Sequence, residues 1–146
     1  MPVLAENVSA KKTEQDGKIK VTETGAKLLL IDDEEAFCRM ITDFMGEIGY
    51  TVIAFWDPSS AIEYYRKSWR EIDLVITDMM MPKISGHDLI KELSGINPMI
   101  KVVISSGYSA EKETCELLKS KQVLAFYKKP FNLAQFAHDI SNLLEK

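Results

Sequence analysis

The sequence predicts an α/β protein of (βα)5 type, in which a parallel five-stranded sheet is covered by helices on both faces to form a doubly wound, three-layer sandwich. From residue 27 onward, five short apolar runs alternate with five amphipathic stretches whose apolar residues recur every three or four positions. The runs are continuously apolar, which is typical of strands buried on both faces of a parallel sheet. The chain has 146 residues, so a single domain can bury a sizeable core.

The first two strands and helices are each bounded by recognisable signals. Residues 27–31 are predicted as a strand, and the apolar spacing of residues 34–48 predicts a helix that Gly49 ends. Residues 51–55 are predicted as the second strand. Asp57-Pro58 then supplies an N-cap residue and a proline at the first helical position, so a second helix is expected from there to about residue 69.

The remaining elements follow the same alternation. Further strands are predicted at residues 74–77, 101–105 and 123–127. The helices between them are predicted at residues 86–93 and at residues 109–118, the second with Ser109 as its cap. Asn132, with Gln135 three residues later, resembles a capping box at the start of the last helix, whose apolar face reaches Leu144.

Composition and charge exclude several classes of partner and location. The formal net charge of −4 argues against a nucleic-acid backbone as the main partner, because that affinity comes from clustered Lys and Arg. No apolar stretch approaches the ~20 residues of a membrane span, and the N-terminus has no secretory signal. Cys38 and Cys115 are interpreted as reduced packing residues of a cytoplasmic protein. Residues 1–26 are polar and aperiodic, so we expect a flexible leader or linker before a domain at 27–146.

Polar side chains stand where four of the predicted strands end. Asp32 and Asp33 follow the first strand, Asp78 the third, Ser106 the fourth and Lys129 the fifth. Right-handed crossovers bring the carboxyl ends of parallel strands to one edge of the sheet, where open α/β sheets bind their ligands. The sequence therefore predicts that these five side chains converge.

Three carboxylates in such a site would repel one another, and a hard divalent cation removes that repulsion. Mg²⁺ prefers oxygen ligands, typically one or two carboxylates together with waters and phosphate oxygens. Asp33 and Asp78 are the expected direct ligands, and the backbone carbonyl of Met80 could add a third. Asp32 is expected to act on the ion through water.

Asp78 is then the expected nucleophile of a phosphoryl transfer that forms an aspartyl phosphate. Such transfer depends mainly on positioning and charge neutralisation, and the Lys129 ammonium and the Ser106 hydroxyl could each hold a phosphoryl oxygen. Each signal alone has a structural explanation, because acids favour helix starts and Ser106-Gly107 can simply be a turn. Their order on four separate strands favours a functional site.

With these residues in place, the chain resembles the receiver domain of bacterial two-component response regulators over residues 27–146. The resemblance implies a flavodoxin-like sheet of order 2-1-3-4-5, and phosphorylation of Asp78 by a histidine kinase or a histidine phosphotransfer protein. It also implies a phosphoacceptor domain that assists only its own phosphorylation and dephosphorylation. The residues that match the family are Asp32-Asp33, Asp78, Pro82, Gly86, Ser106 and Lys129-Pro130.

The same family implies a conformational switch. Ser106 moves toward the phosphoryl group, and an aromatic residue of the fifth strand, here Phe126, rotates inward to fill the space. The face made by the fourth predicted helix (109–118), the fifth strand and the last helix would then carry the signal to a downstream protein or an output domain. Members of the family can also form homodimers through this face.

Two other functions compete with this prediction. A receiver-like domain that is never phosphorylated could serve only as an interaction module, although none of the five site residues is missing. The haloacid-dehalogenase-like phosphatases also use an aspartate at a strand end, but they have a second acid two residues later, where this chain has Met80. Whether the chain acts alone, in a hybrid histidine kinase or in a larger regulator is left open by the sequence.

Overall fold

A computed structural model describes residues 25–79, 81–107, 121–129 and 131–144. All strand pairs are parallel, and the strands lie in the order β2-β1-β3-β4-β5. The predicted fold class and strand order are therefore confirmed. The strands are β1 (Lys27–Ile31), β2 (Thr51–Phe55), β3 (Leu74–Asp78), β4 (Val102–Ser106) and β5 (Val123–Lys128).

The described helices follow the predicted alternation. They are α1 (Glu35–Glu47), α2 (Pro58–Ser68), α3 (Gly86–Ile96) and α4 (Leu133–Leu144), and a 3₁₀ turn at Trp69–Glu71 follows α2. Helix α4 is the last of the predicted helices. The helix predicted at 109–118 lies outside the described residues, as do Cys115 and residues 1–24. Within the part of the chain that is described, no helix is long and apolar enough to cross a membrane.

Most element boundaries agree with the sequence, and the differences lie at the ends. Strands β1 and β2 have their predicted bounds, β3 and β5 are each one residue longer, and β4 is displaced by one residue. Helix α3 was predicted to end at residue 93 and instead continues through Gly95 to Ile96, with Pro98 two residues beyond its end. Helix α1 ends as predicted, because Gly49 has the positive φ of 111° that glycine adopts easily.

Helix starts are stabilised by side-chain caps of different quality. The Asp57 carboxylate accepts a hydrogen bond from the Ser60 backbone N–H at 3.3 Å, and Asn132 Oδ1 accepts one from the Gln135 N–H at 2.9 Å. The predicted capping box is wrong in its second half, because the Gln135 side chain donates to Asp139 Oδ1 at 3.0 Å. Ser85 caps α3, which the sequence analysis did not predict.

Two apolar layers fill the space between the sheet and the helices. Successive strand residues face opposite sides, so Leu28 and Leu30 pack against α1 and α4, whereas Leu29 and Ile31 pack against α2 and α3. This two-sided burial explains why the strands are continuously apolar. The buried Ala26 accepts a backbone hydrogen bond from Thr51 at 3.0 Å, so the packed core includes a residue before β1.

Gly86 holds the loop after β3 against the end of that strand. Its N–H donates to the Met79 carbonyl at 2.7 Å. A Cβ at this position would lie 2.8 Å from both the Asp78 carbonyl oxygen and the Met79 Cα. Both are backbone atoms, so any side chain here would have to displace the end of β3.

We expect Gly86→Ala to lower the free energy of unfolding by about 1–3 kcal/mol, because overpacking against backbone forces a local shift. Gly95→Ala is the matched control on the same helix, since a Cβ there meets nothing within 4 Å. Alanine should stabilise that position by up to about 1 kcal/mol through helix propensity. Urea unfolding of the two variants measures the difference, and equal stabilities would contradict the close approach at Gly86.

Candidate functional site

Three carboxylates meet at the carboxyl edge of the sheet. Strands β1 and β3 pair in parallel with Ile31 opposite Thr77, so the residues that follow, Asp32 and Asp78, come side by side. One carboxylate oxygen from each of Asp32, Asp33 and Asp78 lies within 4.8 Å of the others. Asp32 is fully buried and Asp78 almost so, while Asp33 is exposed. The structure thus brings the three predicted acids together, with one of them open to solvent.

Asp32 has both carboxylate oxygens engaged by the protein. Its Oδ1 accepts from the Glu34 backbone N–H at 2.9 Å, and its Oδ2 accepts from Lys129 Nζ at 2.7 Å. Burial raises the pKa of Asp32 to about 6, although the hydrogen bonds from Lys129 and Glu34 pull the pKa down. The negative charge on Asp78 pushes it up further. The single lysine therefore compensates the acidic site only in part.

Lys129 is held at the centre of the site from several sides. Its backbone N–H donates to the Ser106 carbonyl at 2.8 Å, which fixes the chain just beyond β5. Its ammonium also donates to Glu34 Oε1 at 2.8 Å and lies 4.0 Å from the centre of the Phe37 ring. Burial lowers the pKa of Lys129, but the hydrogen bonds to Asp32 and Glu34, together with the negative charges of Asp32 and Asp78, raise the pKa above the ordinary value. The lysine is therefore charged at neutral pH.

A cleft of about 390 Å³ opens above these residues. Ser106 is not among the residues that line it, because it is fully buried at the end of β4. Gly107, the next residue, is exposed in the cleft wall, and a Cβ there would meet nothing within 4 Å. The lining residues are Asp33, Glu34, Asp78, Met81, Pro82, Gly107 and Lys129.

The two aromatic residues near the end of β5 face opposite layers. Phe126 is half-buried against the α2 and α3 layer and lies opposite Ile104 of β4, on the same face of the sheet as Ser106. Tyr127 packs in the other layer, and its hydroxyl donates to Asp139 of α4. Met80 and Pro130, also predicted at the site, lie outside the described residues.

Two residues that the sequence analysis treated only as parts of a helix contact the site directly. Glu34 pairs with Lys129, and Phe37 presents its ring to the same ammonium. The sequence offered no signal for Glu34, because a helix predicted from residue 34 has Asp33, a usual cap residue, at its N-cap. Phe37 offered none, since it falls on the apolar face of α1.

The donor set suits a hard divalent cation. The three clustered side chains all offer carboxylate oxygens, which Mg²⁺ favours, and two of the three carboxylates line an open cleft. Asp33 and Asp78 are the carboxylates best placed for direct contact. Asp32 is already bonded through both oxygens, which leaves it suited to contact through water.

Comparisons with known proteins agree with this geometry. The family model described as the response regulator receiver domain matches residues 28–141. The chain is 34% identical over 121 residues to the sensor kinase CckA of Brucella abortus, covering 83% of this chain but only 13% of CckA. It is 27% identical to the response regulator receiver protein CpdR of the same organism, covering 81% of this chain and 96% of CpdR. A receiver domain structure from Clostridium thermocellum superposes with a TM-score of 0.73 at 30% identity, covering 82% of this chain and 94% of that one.

The raised pKa of Asp32 predicts how stability depends on pH. The folded state binds this proton more tightly than the unfolded chain, so the contribution of Asp32 is fully present below about pH 4 and is lost as the pH rises through about 6. In metal-free buffer, the free energy of unfolding of the wild type relative to Asp32→Asn should fall by about 2 kcal/mol between about pH 4 and about pH 7. The exposed Asp88→Asn serves as control. A relative stability that stays level or rises with pH would rule out a raised pKa.

Proposed function

This chain belongs to the response regulator receiver domain family, and we propose that Asp78 accepts a phosphoryl group as one step of a two-component phosphorelay. The observation that carries the proposal is the grouping of Asp32, Asp33 and Asp78 within 4.8 Å beside the charged Lys129. If this edge of the sheet had only a structural role, packing would not require four charged side chains from three strand ends to lie together. Phosphoryl transfer requires such a set, because it depends on positioning and charge neutralisation.

Asp78 is the nucleophile of the proposed reaction. One of its carboxylate oxygens attacks the phosphorus of a partner's phosphohistidine, and a P–O bond forms as the P–N bond breaks. The electron pair of the broken bond stays on the imidazole nitrogen, which then takes up a proton from solvent. The Lys129 ammonium and the Ser106 hydroxyl each donate a hydrogen bond to a phosphoryl oxygen of the new aspartyl phosphate.

Mg²⁺ is the proposed cofactor, and when bound it neutralises charge on the phosphoryl oxygens. Asp33 and Asp78 are the proposed direct ligands, with the backbone carbonyl of Met80. Asp32 acts through water, since both of its oxygens already accept hydrogen bonds from the protein. The open cleft leaves room for the waters that Mg²⁺ usually retains.

Phosphorylation is proposed to act outward through Ser106 and Phe126. Both lie on the same face of the sheet, and the half-buried Phe126 can gain burial by rotating inward. We propose that residues 27–146 form the receiver and residues 1–26 the leader, although the last leader residue, Ala26, already packs into the core. The surface that includes β5 and α4 is then the contact for a downstream protein, an output domain or a second copy of the chain.

The phosphoryl donor is proposed to be a histidine kinase or a histidine phosphotransfer protein. The chain matches a small part of a large sensor kinase and almost the whole of a receiver protein. These two molecular arrangements support a role that does not depend on the rest of the molecule. The match covers 13% of the sensor kinase CckA, whereas it covers 96% of CpdR. In either arrangement the domain accepts a phosphoryl group and is not an enzyme with a separate substrate.

We expect acetyl phosphate and Mg²⁺ to add one phosphoryl group to the wild type, as measured by intact mass spectrometry. Asp78→Asn should add none, and Asp88→Asn, which removes an exposed carboxylate on α3, should label like the wild type. The added mass should disappear with hydroxylamine, which cleaves acyl phosphates, and should not form in EDTA. No labelling of the wild type, under conditions that label another receiver, would favour a pure interaction module.

Mg²⁺ is expected to stabilise the fold by binding only the folded state. At a concentration ten times the dissociation constant, the gain in the free energy of unfolding is about 1.4 kcal/mol. Thermal unfolding at constant ionic strength measures this gain, which Asp33→Asn should abolish and Asp88→Asn should retain. A gain that survives in Asp33→Asn would place the ion elsewhere.

A further inference from the structure

Among the described residues that line the cleft, Glu34 is the only charged one that neither the proposed metal site nor the proposed phosphoryl chemistry uses. It stands at the N-cap of α1, where the backbone is fixed on both sides. Its N–H donates to Asp32 Oδ1 at 2.9 Å, and its carbonyl accepts from the Cys38 N–H at 3.1 Å. Its side chain makes no hydrogen bond to the helix it begins. The carboxylate instead reaches Lys129.

That contact occupies a donor that the proposed reaction needs. A lysine ammonium has three N–H donors. Asp32 and Glu34 take one each, at 2.7 Å and 2.8 Å, and the Phe37 ring lies against the same ammonium. Two of the three donors are therefore already engaged when a phosphoryl group arrives on Asp78, and a closer approach of the ammonium to that group would weaken one of these two contacts.

Burial decides which partner is released. The Asp32 side chain is 0% exposed, so loss of Lys129 would leave a buried carboxylate uncompensated. The Glu34 side chain is 63% exposed, so water can solvate its carboxylate as soon as the lysine moves away. Glu34 is the partner that gives way at the lower cost.

We propose that Glu34 is a positioning residue that competes with the phosphoryl group for the Lys129 ammonium, and that it thereby slows the phosphorylation of Asp78. This inference rests on the proposed phosphoacceptor function. It also explains the unusual N-cap, because a residue chosen for the helix alone would be Ser, Thr, Asp or Asn. Glu has the length to span from the helix start to the lysine.

The test compares initial rates of phosphorylation by acetyl phosphate, measured by intact mass. In this reaction an Asp78 oxygen attacks phosphorus, the P–O bond to the acetyl group breaks, and acetate leaves with the electron pair. Glu34→Gln should label about two- to five-fold faster than the wild type, which is the effect of releasing one partly exposed ion pair. Glu34→Asp keeps the charge but is one methylene shorter, so it should also label faster.

Glu35→Gln is the matched control. It removes the same charge one residue away, from a carboxylate that pairs with Arg39 at 2.6 Å and does not contact Lys129. Its labelling rate should equal that of the wild type. If Glu34 acts only by repelling an anionic donor, Glu34→Asp will label like the wild type, and the inference is then wrong.

A second readout needs no phosphorylation. In the unphosphorylated protein, the NMR signal of the Lys129 ammonium should shift in Glu34→Gln and stay in place in Glu35→Gln. Wild type that labels at the same rate as Glu34→Gln, or a Lys129 signal unaffected by Glu34, overturns the inference and leaves the proposed function intact. Wild type that never labels overturns the proposed function and this inference with it.

Discussion

The ion pair between Lys129 Nζ and Asp32 Oδ2, 2.7 Å long and nearly closed to solvent, ties the fifth strand of the sheet to the first. These strands are not neighbours, because β3 and β4 lie between them. Lys129 therefore reaches across the ends of two strands, including the one that carries Asp78. Removing one partner of a buried pair typically costs roughly 3–5 kcal/mol. The carboxyl edge of the sheet, which carries the candidate functional site, is thus also a structural tie.

The start of α1 concentrates negative charge that the fold compensates only in part. Asp32, Asp33 and Glu34 are consecutive, and Asp78 lies beside them. The N-terminus of a helix favours such charges, and Lys129 adds one full positive charge. The pKa of Asp32 is nevertheless raised to about 6 because burial outweighs these contacts. A site left short of positive charge gains stability from a cation, so the same imbalance that lowers the stability of the metal-free fold favours metal binding.

The strands and the residues at their ends could be predicted from the sequence, because apolar runs and the polar residues that follow them are local features. The sequence could not predict which hydrogen-bond or ion-pair partner each polar side chain would have. Glu34 and Lys129 are 95 positions apart, and their contact depends on strand order and side-chain reach. Gln135 shows the same limit at short range. Its side chain bonds to Asp139, a carboxylate on the next turn that also accepts from Tyr127, and leaves the predicted capping box incomplete.

Because successive residues of β5 face opposite sides of the sheet, the end of this strand contacts both helix layers. The sequence had indicated only the contact through Phe126. Phe126 packs toward α2 and α3, whereas Tyr127 packs toward α1 and α4 and bonds to Asp139. Both residues precede Lys129 on the same strand, so a displacement of that strand end acts on the two layers together. The ring of Phe37 touches Lys129 and packs edge-on against Phe131, which in turn contacts Tyr127. Any movement of the Lys129 ammonium toward Asp78 therefore changes contacts in the α1 and α4 layer directly, without passing through Ser106 and Phe126.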